Sequence, residues 1–108
     1  MAPVYALNLF DFADNDGYRE YSRRSVEAIG KHGARVVALG GRVEALEGDG
    51  PRAMMVLVEW PSRAALQGFL DDPELAELHP LRKDGTRRYL WWIYDKLEDL
   101  RGVLPPRH

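Results

Sequence analysis

Hydrophobic positions crowd together between Ala53 and Trp60, where Ala-Met-Met-Val-Leu-Val-Glu-Trp is stopped by Pro61. Strand formers that are apolar at both parities predict a strand covered on both faces, and proline cannot donate to a continuing ladder. Ser62 then offers an N-cap to Arg63-Ala64-Ala65-Leu66. The pattern therefore switches directly to a helix, with Leu66, Phe69 and Leu70 on its buried side. Val4 to Phe12 reads as an earlier internal strand. Tyr5, Leu7, Leu9 and Asp11 alternate there with Ala6, Asn8, Phe10 and Phe12, and neither parity is plainly polar. Asp14-Asn15-Asp16-Gly17 is a turn into a helix over about 18–32. Its stripe of Tyr18, Tyr21, Ser25, Ala28 and Ile29 opposes a charged face, and Gly33 stands where a C-cap glycine belongs.

The remaining elements are shorter. A strand over Arg35 to Leu39 is interrupted at Gly40-Gly41, where a bulge or bend is expected, and pairing resumes through Arg42 to Leu46. Glu47 to Pro51 is a turn. Asp72-Pro73 restarts a short helical stripe of Leu75 and Leu78, which His79-Pro80 ends. A basic loop over Arg82 to Arg88 leads to a last strand, Tyr89-Leu-Trp-Trp-Ile-Tyr-Asp95. The folded domain is expected over 1–97, with a tail over 98–108 that is mobile or packed on a neighbour.

The order is strand, helix, strand, strand, helix, strand. It predicts an α+β, ferredoxin-like βαββαβ unit with two helices on one face of a four-stranded antiparallel sheet. The other face would carry large apolar side chains, a patch unusual on a monomer. A homodimer with its two sheets facing each other, a dimeric α/β barrel, is the expectation.

Composition narrows the partners. A chain of 108 residues is single-domain length, and a net charge of −2 leaves no basic footprint for nucleic acid or an anionic membrane. With no cysteine, disulfides, thiolate nucleophiles and cysteine-based metal sites are excluded. No apolar run is long enough to span a bilayer and no signal-peptide pattern opens the chain, so a cytoplasmic protein is expected.

Several segments, in order, carry a likeness to a known family. They are Tyr5 and Asp14 around the first strand, Tyr18-Arg-Glu-Tyr21, and Gly33, then Gly40-Gly41 with Leu46-Glu47-Gly48. Glu59-Trp60-Pro61-Ser62, Asp72-Pro73-Glu74 and Pro80-Leu81-Arg82 follow. Together they resemble domain of unknown function 1330, within the dimeric α/β-barrel superfamily, over roughly 5–97. The resemblance implies a ferredoxin-like fold. The superfamily includes cofactor-independent monooxygenases, lactone isomerases, haem enzymes and stress-response proteins, and a shared fold does not choose among them. The chain departs from the family pattern at Leu39, where an arginine is usual, and at Leu9, where an acidic residue is frequent. A family site that used those groups would be lost or rebuilt here.

Few residues carry recognisable chemistry. Ser22, Ser25 and Ser62 lack a Gly-x-Ser-x-Gly elbow. His32, His79 and His108 lack metal-ligand spacing, and Gly40-Gly41 is no phosphate loop. No metal or cofactor is expected. Polar groups on otherwise apolar strands are the stronger candidates. Asp11 and Glu59, if they share a face, are candidate acid/base groups whose pKa apolar surroundings would raise. Asn8, Arg42, His79, Arg82 and Trp92 are candidates to orient a ligand between the sheets. The competing reading has the carboxylates at strand ends in water or in structural ion pairs with Arg35, Arg42 or Arg82 at the dimer rim, and the aromatic residues in a packed dimer core. Trp91 and Trp92 must in either case point to opposite faces. Two functions follow: a small enzyme performing metal-free acid/base isomerisation, lyase chemistry or cofactor-independent oxygenation on a hydrophobic or aromatic metabolite held between the sheets, or a non-catalytic binding or stress-related homodimer.

Overall fold

Alternation along the first strand decides how the sheet faces. In β1 (Val4–Phe12) the side chains of Val4, Ala6, Asn8 and Phe10 are buried, whereas Tyr5, Leu7, Leu9 and Asp11 are half-buried. The computed structural model describes residues 2–107. β1 is followed by α1 (Gly17–Lys31), β2 (Arg35–Gly40), β3 (Met54–Trp60), α2 (Arg63–Asp71), α3 (Leu78–Asp84) and β4 (Thr86–Asp95). A single 3₁₀ turn over Pro73–Leu75 lies between α2 and α3. All four strands pair antiparallel in the order β2-β3-β1-β4, the ferredoxin-like arrangement. β1 and β3 are therefore the internal strands, which is why neither shows a polar parity.

The helices cover one face. Tyr21, Ala28 and Ile29 of α1, Leu66 and Phe69 of α2, and Leu78 at the start of α3 form one core with Val4, Ala6, Val58 and Trp60. Ser62 caps α2 as its sequence predicts, its hydroxyl accepting from the Ala65 N–H at 3.0 Å. α1 ends in a Schellman motif: Ala34 N–H donates to the Ile29 carbonyl at 3.1 Å and Gly33 N–H to that of Gly30 at 3.0 Å. Gly33 takes the left-handed conformation this requires, at φ 80°.

Two segments differ from the expectation. Arg42 to Leu46 does not resume β2; the ladder ends at the Gly40–Met55 pair, and Arg42 at φ 55° turns the chain out of the sheet into an exposed loop. His79-Pro80 does not end a helix but lies in the first turn of α3. Proline is tolerated there because a first-turn N–H has no intrahelical acceptor. Arg82 is consequently a helical, buried residue rather than part of a basic loop, and Arg87 and Arg88 belong to β4.

Among the described residues, no helix covers the opposite face of the sheet. Cross-strand register aligns three rows on it: Tyr5 with Glu59 and Tyr94, Leu7 with Leu57 and Trp92, Leu9 with Met55 and Leu90. Trp92 and Tyr94 are about half exposed, at 47% and 51%. Trp91 packs against the helix-side core, so the two tryptophans do part to opposite faces.

Candidate functional site

Asn8 is the polar interruption in the buried parity of β1, between Ala6 and Phe10. Backbone pairing cannot satisfy a side-chain amide, so it must find partners within the core. Its Nδ2 donates to the Val56 carbonyl at 3.1 Å and the Ala6 carbonyl at 3.3 Å, and its Oδ1 accepts from the Tyr89 hydroxyl. Around this pair the aromatic residues of three elements converge. Phe10 stacks on Tyr89 with centroids 5.5 Å apart and tilts against Tyr18 at 4.7 Å, while Tyr89 meets Trp91 edge-on at 6.1 Å. Trp60, from the end of β3, lies 5.3 Å from Phe69.

These rings do not fill the layer. A hollow of about 50 Å³ remains between α1 and the sheet, lined by Asn8, Tyr18, Tyr21, Trp60, Tyr89 and Trp91 among others. Ser25, Val26 and Val36 also line it, and Val26 is 63% exposed. Among the described residues, the indole N–H groups of Trp60 and Trp91 and Nε2 of His79 are buried without a hydrogen-bond partner. Burial pushes the Tyr18 phenol up to about 12 and raises Tyr89 further. Burial raises Tyr21 as well, opposed by the charge of Arg82 nearby. All three phenols are therefore neutral donors at ordinary pH.

Arg82 stands against the same rings. Its guanidinium carbon lies 4.5 Å above the Trp91 ring and 5.7 Å from that of Tyr89. Its Nη1 donates to His79 Nδ1 at 3.2 Å. Arginine can only donate, so the proton of the neutral imidazole sits on Nε2. Burial, and then the Arg82 charge, hold the His79 pKa below the usual imidazole value. His79 also packs edge-on against Phe69 at 5.5 Å.

The sequence candidates thus divide between two faces. Asn8, His79 and Arg82 come together on the helix side, where an inter-sheet position was expected. Asp11, Glu59 and Trp92 lie on the open face, and Arg42 is in the exposed loop after β2. Asp11 and Glu59 share a face but do not meet. Glu59 is opposite Tyr5, and Asp11 follows Tyr5 on the same face roughly 20 Å further along β1. Glu59 pairs with Arg35 and with Lys96, each at 3.3 Å. Asp11 accepts from Arg88 at 2.6 Å and from the Ala53 N–H at 2.8 Å.

Apolar surroundings do not raise the Asp11 pKa; the Arg88 hydrogen bond, then that of Ala53, hold it below the ordinary 3.8. A depressed folded-state pKa contributes stability that is present above 3.8 and is lost as pH falls through the lower folded value. The Asp11 carboxyl carbon resonance is expected to titrate below 3.8, with the Ala53 amide following it, and Arg88→Ala to return the midpoint towards 3.8. An unmoved midpoint in that variant would remove Arg88 as the cause.

Sequence reasoning missed the roles of Tyr18, Tyr21, Trp60, Tyr89 and Trp91 around this hollow, taking them for core or inter-sheet wall. Asn8 sharing a parity with Ala6 and Phe10 was the available signal for a helix-side site.

Fold and register together define a ferredoxin-like α+β protein whose polar core groups lie under the helices. The chain belongs to the DUF1330 family, a domain of unknown function, whose model matches residues 3–95. Among solved structures, a protein of unknown function from Rhodopseudomonas palustris is similar at 24% identity and TM-score 0.78, over 91% of this chain and 85% of that one. SnoaB, a cofactor-independent oxygenase from Streptomyces nogalater, is 12% identical with TM-score 0.65, over 94% and 99% of the two chains. A dimeric protein of unknown function with a ferredoxin-like fold from Bacteroides fragilis is 14% identical with TM-score 0.55, over 89% and 98%. At these identities the likenesses show the fold alone. No curated protein matches the chain. Among the described residues, no helix is long and apolar enough to cross a membrane, and no group of three or more His, Cys, Asp or Glu is placed to hold a metal ion.

Proposed function

We propose that this chain pairs with a second copy through its open sheet face and that each protomer binds a small planar metabolite in the hollow between α1 and the sheet. The carrying observation is a partly empty, aromatic-walled space with the Asn8–Tyr89 hydrogen bond in its wall, in the layer where a structural domain packs apolar side chains solid. In this reading Asn8, Arg82 and His79 orient the ligand. Asp11 and Glu59 serve in ion pairs at the two ends of the dimer face, Trp92 packs within it, and Arg42 takes no part in the site. A metal-free oxygenation or acid/base step on the bound ligand is the catalytic extension. The oxygenase neighbour makes the first of these the one to assay.

The present volume suits one or two waters, whereas an apolar cavity of about 150 Å³ is needed to take a benzene ring. Entry of a ring therefore requires a side chain to give way, and Tyr18, half-buried on α1, is the one the reading assigns. Benzyl alcohol titrated into the labelled protein is expected to shift the indole N–H resonances of Trp60 and Trp91 and to leave that of Trp92 in place. Movement of Trp92 alone would put the ligand between the sheets, and no movement in any of the three would leave the hollow a packing defect. Sedimentation is expected to give twice the chain mass; a monomer at every concentration would end the pairing half of the proposal.

A further inference from the structure

Arg82 is 6% exposed, and among the described residues no carboxylate pairs with it. The titratable groups that sense its charge are Tyr18 and Tyr21 from α1, Tyr89 from β4 and His79 from its own helix. Each of these is neutral, and none supplies a negative charge. A buried guanidinium left in that state is costly unless something else neutralises it. Stacking on Trp91 offsets part of the cost, and the His79 nitrogen takes one of its five N–H donors.

The surrounding wall supplies no negative charge either, since its hydroxyls, on Tyr18, Tyr21 and Ser25, are neutral. Trp60 and Trp91 present buried indole N–H groups without partners, and indole can only donate. The one strong acceptor of the wall, Asn8 Oδ1, is already taken by Tyr89. Arg82 is not itself in the lining of the hollow but stands against two rings that are, Trp91 and Tyr89, and an unpaired buried cation so placed is complementary to a ligand that carries a negative charge past them.

On the reading that the hollow binds a planar metabolite, we propose that the metabolite is an aromatic anion, with its carboxylate on Arg82 and its ring among Tyr18, Trp60, Tyr89 and Trp91. This assigns the ligand's charge class, and it makes Arg82 a residue retained for binding rather than for folding. The two roles predict opposite stability changes. If Arg82 is structural, Arg82→Met unfolds or weakens the protein. If it is kept for an anion, removing an unpaired buried charge in favour of an apolar side chain of similar length leaves stability equal or higher.

The test titrates benzoate and its neutral isostere benzamide into the full chain and into Arg82→Met, reading the Trp60 and Trp91 indole resonances and the thermal midpoint without ligand. Wild type is expected to prefer benzoate by about ten- to hundredfold, the usual weight of a hydrogen bond to a charged group. Arg82→Met is expected to bind both probes alike, at the benzamide level, with a midpoint no lower than wild type. Equal affinity for benzoate and benzamide in wild type overturns the charge assignment and leaves the pocket reading intact. Absence of binding by either probe overturns both. Failure of Arg82→Met to fold makes Arg82 structural and overturns its retention for binding alone. The charge assignment is then decided by the Arg82 Nε–H resonance of the wild-type protein, which shifts with benzoate and not with benzamide, or the assignment is wrong.

Discussion

Trp60→Ala is expected to lower the unfolding free energy by about 3–5 kcal/mol, the range for removing a buried aromatic side chain. Against a total of about 5–15 kcal/mol for an ordinary domain, that is enough to leave much of the protein unfolded at 37 °C. Trp60 is 1% exposed and is among the largest of the side chains buried to that degree. Its neighbours cannot close the gap. Pro61 fixes the chain on one side, the β3 pairing to β1 on the other, and Phe69 is already 5.3 Å away at its ring centre. The space left would join the existing hollow, because Trp60 lines it. Indole added to Trp60→Ala is therefore expected to raise the urea midpoint, as an apolar ligand does when it fills a dry cavity. A loss under 1 kcal/mol, or no response to indole, would mean that the β3–α2 junction repacks.

Trp60 also shows how far sequence alone reaches. Pro61 after an apolar run fixes the end of β3, and Ser62 fixes the start of α2; both signals are local, and both were legible. β1 was legible as an internal strand because neither parity is plainly polar, but for the same reason its facing was not. Which parity meets the helices depends on where Tyr21 and Ile29 of α1 land, a tertiary fact. The placing of the candidate site residues turns on the same point. Pro80 looks like a stop and so hides the helical placement of Arg82; only the stripe of Leu78, Leu81 and Arg82, at helical spacing, argues otherwise. The ion pair of Asp11 depends on a bulge. The β1–β4 register slips between Leu9 and Asp11, and Arg88 takes φ 52° there, bringing its guanidinium onto the carboxylate. Nothing in the residue order around Tyr89 announces that slip.

Gly85→Ala is expected to destabilise by about 3 kcal/mol, the upper part of the range for overpacking a core that cannot yield. The backbone dihedrals at Gly85 are ordinary, φ −85° and ψ −1°, so the requirement for glycine is not conformational. It is steric. A Cβ there would stand 2.2 Å from the Tyr18 nitrogen and 2.8 Å from both the Gly17 carbonyl carbon and the Leu81 oxygen. All three are backbone atoms, and none can swing aside. The approach is held by Ala13 N–H donating to the Gly85 carbonyl at 3.0 Å and by Asn15 Nδ2 donating to that of Asp84 at 2.9 Å. Asn15 Oδ1 in turn accepts from the Gly17 N–H at 2.7 Å, so one side chain fastens the start of α1 to the end of α3. Gly30→Ala serves as the control of opposite sign. No atom outside the helix lies within 4 Å of a Cβ at Gly30, and there the change is expected to stabilise by about 0.5–1 kcal/mol through helix propensity. Urea unfolding of the two variants reads both effects. The junction matters beyond stability, because Tyr18 begins one residue after Gly17 and Arg82 lies three before Gly85. Pushing the two backbones apart separates the Tyr18 ring, which lines the hollow, from the Arg82 guanidinium, which stacks on Trp91 in the hollow's wall. In Gly85→Ala the Trp91 indole resonance is therefore expected to move even without ligand, and an unmoved resonance beside a large stability loss would show that α3 carries Arg82 with it as a rigid body.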